Sequence, residues 1–499
     1  MMTQDNNDNN QLNATDRLLD QTWPLHGQMT VIKNGVFSRP EPTFRAPAEK
    51  IHRGLVFSYQ GKLFREGWLW AVSDGRYIPY QRVRGHLPRS VRKRRVGGVN
   101  WYRAGRVLDT AAKQPLAGIW PYSSERHVAD RGQSMALEAV RPLQPTQVEQ
   151  RELRRVKQAI ARVQQPDSVV IAHLTDTHFS SYASPSTARS LRYLKTVSYY
   201  AKDTALDLIV HNGDLTDGVV DKRYELTDMK QAVAALQLSQ RPVLISQGNH
   251  DDNSGYARDV DSQFYDQVIT NPEANQIKGA TFAELLDNRL VTNANHAVYG
   301  RYKVPDSPVN VIILDGFDQP DDLPGYRSRY DFRHGWTHFS PAQQTWLRET
   351  LTALPDDEMA LVFTHIMPHG LPFDRHGNYN EFAATNQRGG ADEGDAVRTI
   401  LRQYQQRTGN LIAVVAGHTH IDDYAYQDGI NWIVSTCAIT DRGLGRLKRR
   451  FNTRYEQAWD VFLVNPSTRE LYRIRYGYHN RRGFLGRVHW RGFKGKFKF

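Results

Sequence analysis

The sequence predicts a layered α/β protein preceded by a small all-β segment, and three patterns carry that expectation. After residue 168, short apolar β-like runs alternate with amphipathic helical stretches, the order in which layered α/β folds are built. Between residues 21 and 83 the runs are short, aromatic and separated by turn residues, the mark of antiparallel strands. Five of the later runs end in stretches rich in Asp, Asn and His, at the strand ends where open α/β sheets build their sites.

The 499 residues, 39% hydrophobic and 24% charged, can bury a full core and fill two or three domains. The lone Cys437 excludes an intrachain disulfide and a thiolate zinc cluster, so any metal must sit on Asp, Asn and His, and there are 18 histidines. No apolar run approaches the roughly 20 residues that span a bilayer. Residues 1–20 read as a disordered polar leader, and residues 1–13 lack the basic and apolar regions of a secretory signal, which makes a cytoplasmic enzyme the default. The net charge of +12 is unevenly placed. Basic residues crowd at 82–106, including Arg89, Arg92, Lys93, Arg94 and Arg95, again at 446–450, and at 481–498 without an intervening acid. One such cluster is as well read as a solubilising surface; three together favour an anionic partner, be it nucleic acid, lipid headgroups or a phosphate-rich wall polymer.

In chain order, β-like runs at 29–36, 55–59, 63–72 and 76–83 predict a small antiparallel barrel over residues 21–85, with Asp74-Gly75 as a hairpin turn. Residues 86–165 form a basic, loop-rich extension. Its aromatics Trp101, Tyr102, Trp120 and Tyr122 are read as core of short strands rather than as a base-stacking surface. A linker helix at 148–164 follows, with Leu153, Val156, Ile160 and Val163 on one stripe. The main domain, 166–476, has helices expected at 186–202, 222–238, 340–354 and 394–407. The third opens on Ser340 as N-cap, Pro341 in the first turn and Gln343 three residues after the cap. Antiparallel strands close the domain, 423–426 with 431–436 through Asp428-Gly429 and 460–464 with 470–476 through Asn465-Pro466-Ser467. Residues 477–499 are left as a basic tail.

The chemistry lies at the strand ends. The run at 168–172 leads into His173-Leu174-Thr175-Asp176-Thr177-His178, and 208–211 into Gly213-Asp214-Leu215-Thr216-Asp217. The run at 243–246 leads into Gly248-Asn249-His250-Asp251, 360–363 into Thr364-His365, and 411–416 into Gly417-His418-Thr419-His420. Any one of these reads as an Asx turn or a buried histidine; all five along one sheet edge read as a metal centre.

In this order and with these residue types, the motifs resemble the calcineurin-like metallophosphoesterases over roughly residues 168–476. The resemblance implies a four-layer αββα sandwich whose strand-end loops hold two divalent cations. A carboxylate, with two oxygens and a full charge, is the natural bridge between cations about 3.5–4 Å apart, and Asp214 fits. By resemblance Asp176, His178 and His420 complete one site, and Asn249, His365 and His418 the other. Such a set suits manganese, iron, zinc or nickel without choosing among them. His250 would protonate the leaving alkoxide or hold a phosphate oxygen, with Asp217 orienting it. His173, His211 and His369 are read as packing or supporting residues. The loop Arg442-Gly443-Leu444-Gly445 with the basic run to Arg450 could touch phosphate near the site, although Gly-rich basic loops are usually just mobile, and the Tyr- and Arg-rich insert at 320–338 is a candidate lining of the substrate cleft with no single residue singled out.

The N-terminal wording Asn34-Gly35-Val36-Phe37-Ser38-Arg39-Pro40, Gly67-Trp68-Leu69-Trp70 and Arg76-Tyr77-Ile78-Pro79-Tyr80 resembles bacterial SH3-like domains of cell-wall hydrolases. That implies an aromatic recognition face from Trp68, Trp70, Tyr77 and Tyr80. The expected function is therefore metal-dependent hydrolysis of a phosphodiester or phosphomonoester, with a wall phosphate polymer as a candidate substrate. In that case the enzyme would act at a cell surface or in a phage particle. A nuclease or cyclic-nucleotide phosphodiesterase is the alternative on the same site. An inactive wall-binding protein is disfavoured by the full ligand set.

Overall fold

The structure is a computed structural model of the chain. It describes residues 22–23, 27–31, 36–52, 55–59, 61–65, 68–82, 93–96, 99–102, 107–109, 140–181, 185–204, 206–260, 267–281, 294–321, 337–368, 371–372, 379–380, 391–440, 449–485 and 488–499. The leader, His369, the Arg442 loop, Trp120, Tyr122 and most of the 82–106 and 320–338 stretches lie outside the described residues. Two compact units divide the chain. One takes in Met1–Ala136 with Tyr182–Pro185 and Val219–Asp221, the other Leu137–Ser181, Ser186–Gly218 and Lys222–Phe499.

In the first unit, Thr22–Trp23, Gly61–Arg65, Trp68–Ser73 and Arg76–Arg82 form an antiparallel sheet in that order. The run at 63–72, expected as one strand, is two, with Leu63 opposite Trp70. The run at 29–36 likewise divides into Gly27–Val31 and Val36–Ser38, the latter paired with Glu49–Ile51. Asn34-Gly35 and Glu66-Gly67 lie in the sequence between these strands, turn residues that the expected longer runs passed over. The Asp74-Gly75 turn forms as expected, with φ of 47° and 72°, the left-handed pair that a two-residue hairpin needs. Trp70 is fully buried and packs on Phe44 with ring centroids 4.9 Å apart. It is core, so the expected four-aromatic recognition face loses one member; the side chains of Trp68 and Tyr80 are outside the described residues. What stands is a small β region.

The second unit contains two six-stranded mixed sheets. The first runs Val243–Ile245, Leu208–His211, Val169–Leu174, Ala458–Asn465, Glu470–Gly477, Lys496–Lys498, with its first three strands parallel and the rest antiparallel. The second runs Gly300–Lys303, Val309–Leu314, Met359–Thr364, Leu411–Ala416, Ile430–Val434, Asp423–Gln427, with four central parallel strands between antiparallel edges.

Central parallel strands read as unbroken apolar runs because both faces are covered, and alternation along each strand shows by what. Val170, Ala172 and Leu174 join Ile209 and Leu463 in a core beneath the helices Gln147–Ala161, Pro185–Lys202 and Lys222–Gln237. Val169 and Ile171 point the other way and meet Val311, Leu361 and Phe363 of the second sheet. Ile312, Ala360 and Val362 then face Leu347 and Leu351 of Pro341–Ala353 and Leu401 of Ala391–Thr408. The order is helices, sheet, sheet, helices. Burying each Val, Leu or Ile contributes roughly 1.5–3 kcal/mol, so these cores fix which residues can lie at the strand ends.

Ser340 caps Pro341–Ala353 as expected, its hydroxyl accepting from Gln343 N at 3.1 Å. The linker helix is Gln147–Ala161, opened by a Thr146/Glu149 capping box. The last helix begins at Ala391, ahead of the expected 394. Gly394 lies inside it because a Cβ there would come within 1.9 Å of Pro368 O, so the glycine serves a close backbone crossing rather than a helix boundary. Residues 477–499, expected as a tail, carry the strands Arg481–Leu485, Val488–Gly492 and Lys496–Lys498, the last completing the first sheet. No helix among the described residues is long and apolar enough to cross a membrane.

Candidate metal centre

All five motif loops leave the carboxyl ends of strands in the two sheets, and backbone hydrogen bonds draw them together. Asp176 N donates to Gly213 O, His178 N to Asp214 O and Phe179 N to Leu215 O, each at 3.0 Å, so the parallel pairing of two strands continues past their ends. His418 N donates to both carboxylate oxygens of Asp176, at 3.2 and 3.0 Å, and ties the 417–420 loop to the first. His250 N donates to Asp214 Oδ1 at 2.9 Å and ties in the 248–251 loop. Gly248 permits that approach, since a Cβ there would lie 1.9 Å from Asp214 N.

Asp214 sits in the middle. Its Oδ2 is 3.6 Å from His178 Nε2 and 3.4 Å from His365 Nε2. On one side the Nε2 atoms of His178 and His420 are 3.0 Å apart, with His420 Nε2 3.2 Å from Asp176 Oδ1. On the other, Asn249 Oδ1 lies 3.1 Å from His365 Nε2 and 3.0 Å from His418 Nδ1. Two clusters result, Asp176/His178/Asp214/His420 and Asp214/His365/His418, and they share Asp214. In each, imidazole nitrogens and carboxylate oxygens converge from separate loops, so lone pairs face one another inside a protein interior. A divalent cation resolves that repulsion, and the mixed oxygen and nitrogen set fits a first-row metal. The two clusters can thus hold two divalent cations.

The charges agree with this geometry. Burial by itself would raise Asp176 and Asp214, but His420 beside the first and His365 beside the second hold both carboxyls well below the usual range. His365, which burial would lower, is drawn up to about 9 by Asp214. His418 is pushed down to about 4 by burial and by His365.

Five of these residues are held in the left-handed backbone region: Asp176, His178, Asp214, His418 and His420, with φ of 54°, 44°, 50°, 65° and 59°. Non-glycine residues held in such sparsely populated regions cost of order 1–3 kcal/mol each and persist where their surroundings over-determine them. Here the loop-to-loop hydrogen bonds above supply that constraint.

Supporting groups aim the ligands. His365 Nδ1 donates to Asn212 O at 2.9 Å, which leaves Nε2 for the cluster. His178 Nδ1 lies 3.2 Å from Asp217 Oδ1 while its Nε2 faces the first cluster. His250 Nδ1 donates to Asp217 O at 2.7 Å. Asp217 thus touches His250 through its backbone carbonyl and His178 through its carboxylate, a division of labour that the sequence did not suggest. His178, Asp217 and His250 also group closely enough to be a third cation candidate, but His178 Nε2 is already turned to the first cluster.

Sequence reasoning missed Asn212. Its Nδ2 donates to Thr364 O at 3.0 Å and Val415 O at 3.1 Å and its Oδ1 accepts from Ser246 Oγ at 3.0 Å, so one amide fastens the ends of three other strands. Before a glycine it reads only as a turn residue. Lys278 was missed as well: its Nζ is 2.6 Å from Asp251 Oδ2, both side chains fully buried, while Asp251 accepts from Thr216 N and Gly248 N. No local signal links positions 251 and 278. His173, between Phe363 and Phe462 and pushed to about 3 by burial, is a packing residue as expected. His211, likewise lowered by burial to about 3, lies 2.9 Å from Thr177 Oγ1.

The family model described as calcineurin-like phosphoesterase matches residues 169–422. No curated protein matches the sequence. Among solved structures, the chain is similar to a dimetal phosphatase from Danio rerio at 13% identity, covering 62% of this chain and 96% of that one, with a TM-score of 0.44. It is also similar to a purple acid phosphatase from yellow lupin seeds at 11% identity, covering 62% and 52%, with a TM-score of 0.36. A phosphopantetheinyl hydrolase from Mycobacterium tuberculosis is matched at 14% identity over 55% and 91%, with a TM-score of 0.29. On the strength of the family match, which spans half of the sequence, the chain belongs to the calcineurin-like phosphoesterases and is a hydrolase of that metal-dependent type.

Proposed function

We propose that the chain hydrolyses phosphodiesters, with Asp176, His178 and His420 holding one divalent cation, Asn249, His365 and His418 the other, and Asp214 between them. The observation that carries this reading is the position of Asp214 Oδ2, within 3.6 Å of His178 Nε2 and 3.4 Å of His365 Nε2. A bound cation pair supplies a nucleophilic water near neutral pH and draws charge from the phosphoryl oxygens. The chain's own residues do the rest. Asp214 Oδ1 accepts from His250 N and so holds the 248–251 loop against the centre. With Nδ1 committed to the Asp217 carbonyl, His250 presents Nε2 to the leaving oxygen and gives it a proton.

The anionic polymer reading of the substrate rests on the basic stretches at 82–106 and 481–498, which favour a polyanion over a small neutral ester. A wall phosphate polymer and a nucleic acid share that chemistry, and digestion of teichoic acid and of single-stranded DNA side by side separates them. The N-terminal β region would hold the chain on a wall; sedimentation of the full chain with Gram-positive walls in moderate salt tests that.

The decisive experiment measures metal content together with hydrolysis of a chromogenic phosphodiester and the matching monoester. Two equivalents of manganese, iron, zinc or nickel are expected with full activity, a chelator should abolish turnover, and Asp214→Ala should lose both ions and activity. An Asp214→Ala protein that retains both would overturn the dinuclear site.

A further inference from the structure

Lys278 is the last residue of the helix Asn271–Lys278, and its side chain has no exposed surface. A buried ammonium needs acceptors for its three donors, and it finds them all on one loop. Nζ donates to Asp251 Oδ2 at 2.6 Å, to Gln247 Oε1 at 2.9 Å and to Ser246 O at 3.4 Å. These contacts bracket Gly248-Asn249-His250, the stretch that brings Asn249 and His250 to the centre.

Asp251 carries the tie further. It is fully buried, its Oδ1 accepts from Thr216 N at 3.0 Å, and its Oδ2 accepts from Gly248 N at 2.8 Å. One carboxylate therefore joins Lys278 to both loops that frame Asp214. The helix behind Lys278 is fixed at its other end, where Thr270 and Glu273 form a capping box, Glu273 pairs with Lys222 at 2.8 Å, and Ile269 N donates to Asp252 O at 2.7 Å. The ammonium is thus held from outside the loop that it grips. An apolar pair of similar volume would serve stability as well as a buried ion pair does, but it could not hold three acceptors of one loop at once.

Asn249 is where this grip matters. Its Oδ1, 3.1 Å from His365 Nε2 and 3.0 Å from His418 Nδ1, is an amide oxygen without net charge, so it serves a cation only where the backbone puts it. The cluster Asp176/His178/Asp214/His420 takes no residue from 246–251. We propose that Lys278, gripping the loop through Asp251, Gln247 and Ser246, is a positioning residue for the cation beside Asn249, His365 and His418, and leaves the other cation untouched. None of the three residues that its Nζ meets is a proposed ligand, so it acts through the loop. The inference rests on the two-cation reading above.

The test is calorimetric titration of the full chain, stripped of metal with a chelator, with manganese, followed by electron paramagnetic resonance of the loaded samples. Wild type should take two equivalents and give the spectrum of a coupled pair. Lys278→Met should weaken one equivalent about 10- to 100-fold, the usual cost of losing a group that orients a ligand, while the other stays within about twofold and the spectrum becomes that of isolated ions. The weakened equivalent should be the one that Asn249→Ala loses. Because Met leaves Asp251 charged and unpaired, the pair is also replaced together as Lys278→Met with Asp251→Asn, which buries no uncompensated charge. The same selective loss is expected there, since the ties to Ser246 O and Gln247 Oε1 are still gone. Two equivalents at wild-type affinity in either variant, or equal weakening of both equivalents, overturns the positioning role. A wild type that takes fewer than two equivalents overturns the two-cation reading and this inference with it, so the two failures are told apart.

Discussion

Replacing His250 by Ala tests the proposed division between holding metal and moving a proton. The Asp217 carbonyl can only accept, so the 2.7 Å contact keeps one proton on His250 Nδ1, and the proton given to the leaving oxygen is a second one, carried on Nε2. The tie between the 248–251 loop and Asp214 uses the backbone N of residue 250, which Ala retains. Metal content should therefore stay near two equivalents. Loss of a positioned general acid costs roughly 100- to 10,000-fold, or about 2.7–5.5 kcal/mol of barrier. The cost should depend on the leaving group. A nitrophenolate leaves without help, so its hydrolysis should slow least, whereas an alkyl phosphodiester, whose alkoxide must be protonated, should slow most. The assay is kcat for a series of phosphodiesters of rising leaving-group pKa, with metal measured by mass spectrometry on the same samples. A uniform slowdown across the series, or loss of one metal equivalent, would refute the assignment and make His250 a ligand or a substrate clamp.

Three further outcomes follow from the packing. Gly248→Ala should abolish metal uptake with the fold retained, because a Cβ there meets Asp214 N at 1.9 Å and pushes apart the two loops that frame the centre; normal metal content by mass spectrometry would contradict it. Asp460→Asn should cost about 3–5 kcal/mol in guanidinium denaturation, since Asp460 accepts from both buried arginines and Asn leaves their charge uncompensated; a loss under about 1 kcal/mol would mean that the network relaxes or is hydrated. Asp228, fully buried, is raised by burial to about 7 despite its hydrogen bonds from Ser181. Because the folded chain binds this proton more tightly than the unfolded one, stability present below about pH 4 is lost as pH rises through about 7, by up to about 4 kcal/mol. Asp228→Asn should remove that slope, so the variant should gain melting temperature over wild type at pH 8 and not at pH 4. An equal difference at both pH values would show that Asp228 does not titrate in this range.

Much of the protein is readable without a structure, for a local reason. A strand buried on both faces must be apolar throughout, so Val169–Leu174, Leu208–His211, Met359–Thr364 and Leu411–Ala416 announce themselves. The polar residues directly after them can only lie at the sheet edge. That is why Asp176, His178, Asp214, Asn249, His365, His418 and His420, scattered over 245 positions of the chain, could be gathered on paper. The Ser340 cap and the Asp74-Gly75 and Asp428-Gly429 turns are legible for the same reason, since cap and turn chemistry act within a few residues.

What depends on contacts distant in sequence was not legible. Trp70 as core rather than recognition surface depends on Phe44 reaching it. The last strand was taken for a tail because Lys496 and Lys498 make an edge strand look like solvated chain; Phe497 alone joins the core. Within the centre, sequence identified ligand types, but it could not show five residues driven into left-handed backbone, the two contacts of Asp217, or Asn212 pinning three neighbouring strands. Those arrangements are stable only because loops from separate parts of the chain hydrogen-bond to each other, and no local propensity encodes such a closure. The same holds for Asp422, Asp460, Arg473 and Arg475, four charges that read as surface residues in sequence and become a buried network only when the two sheets bring them together.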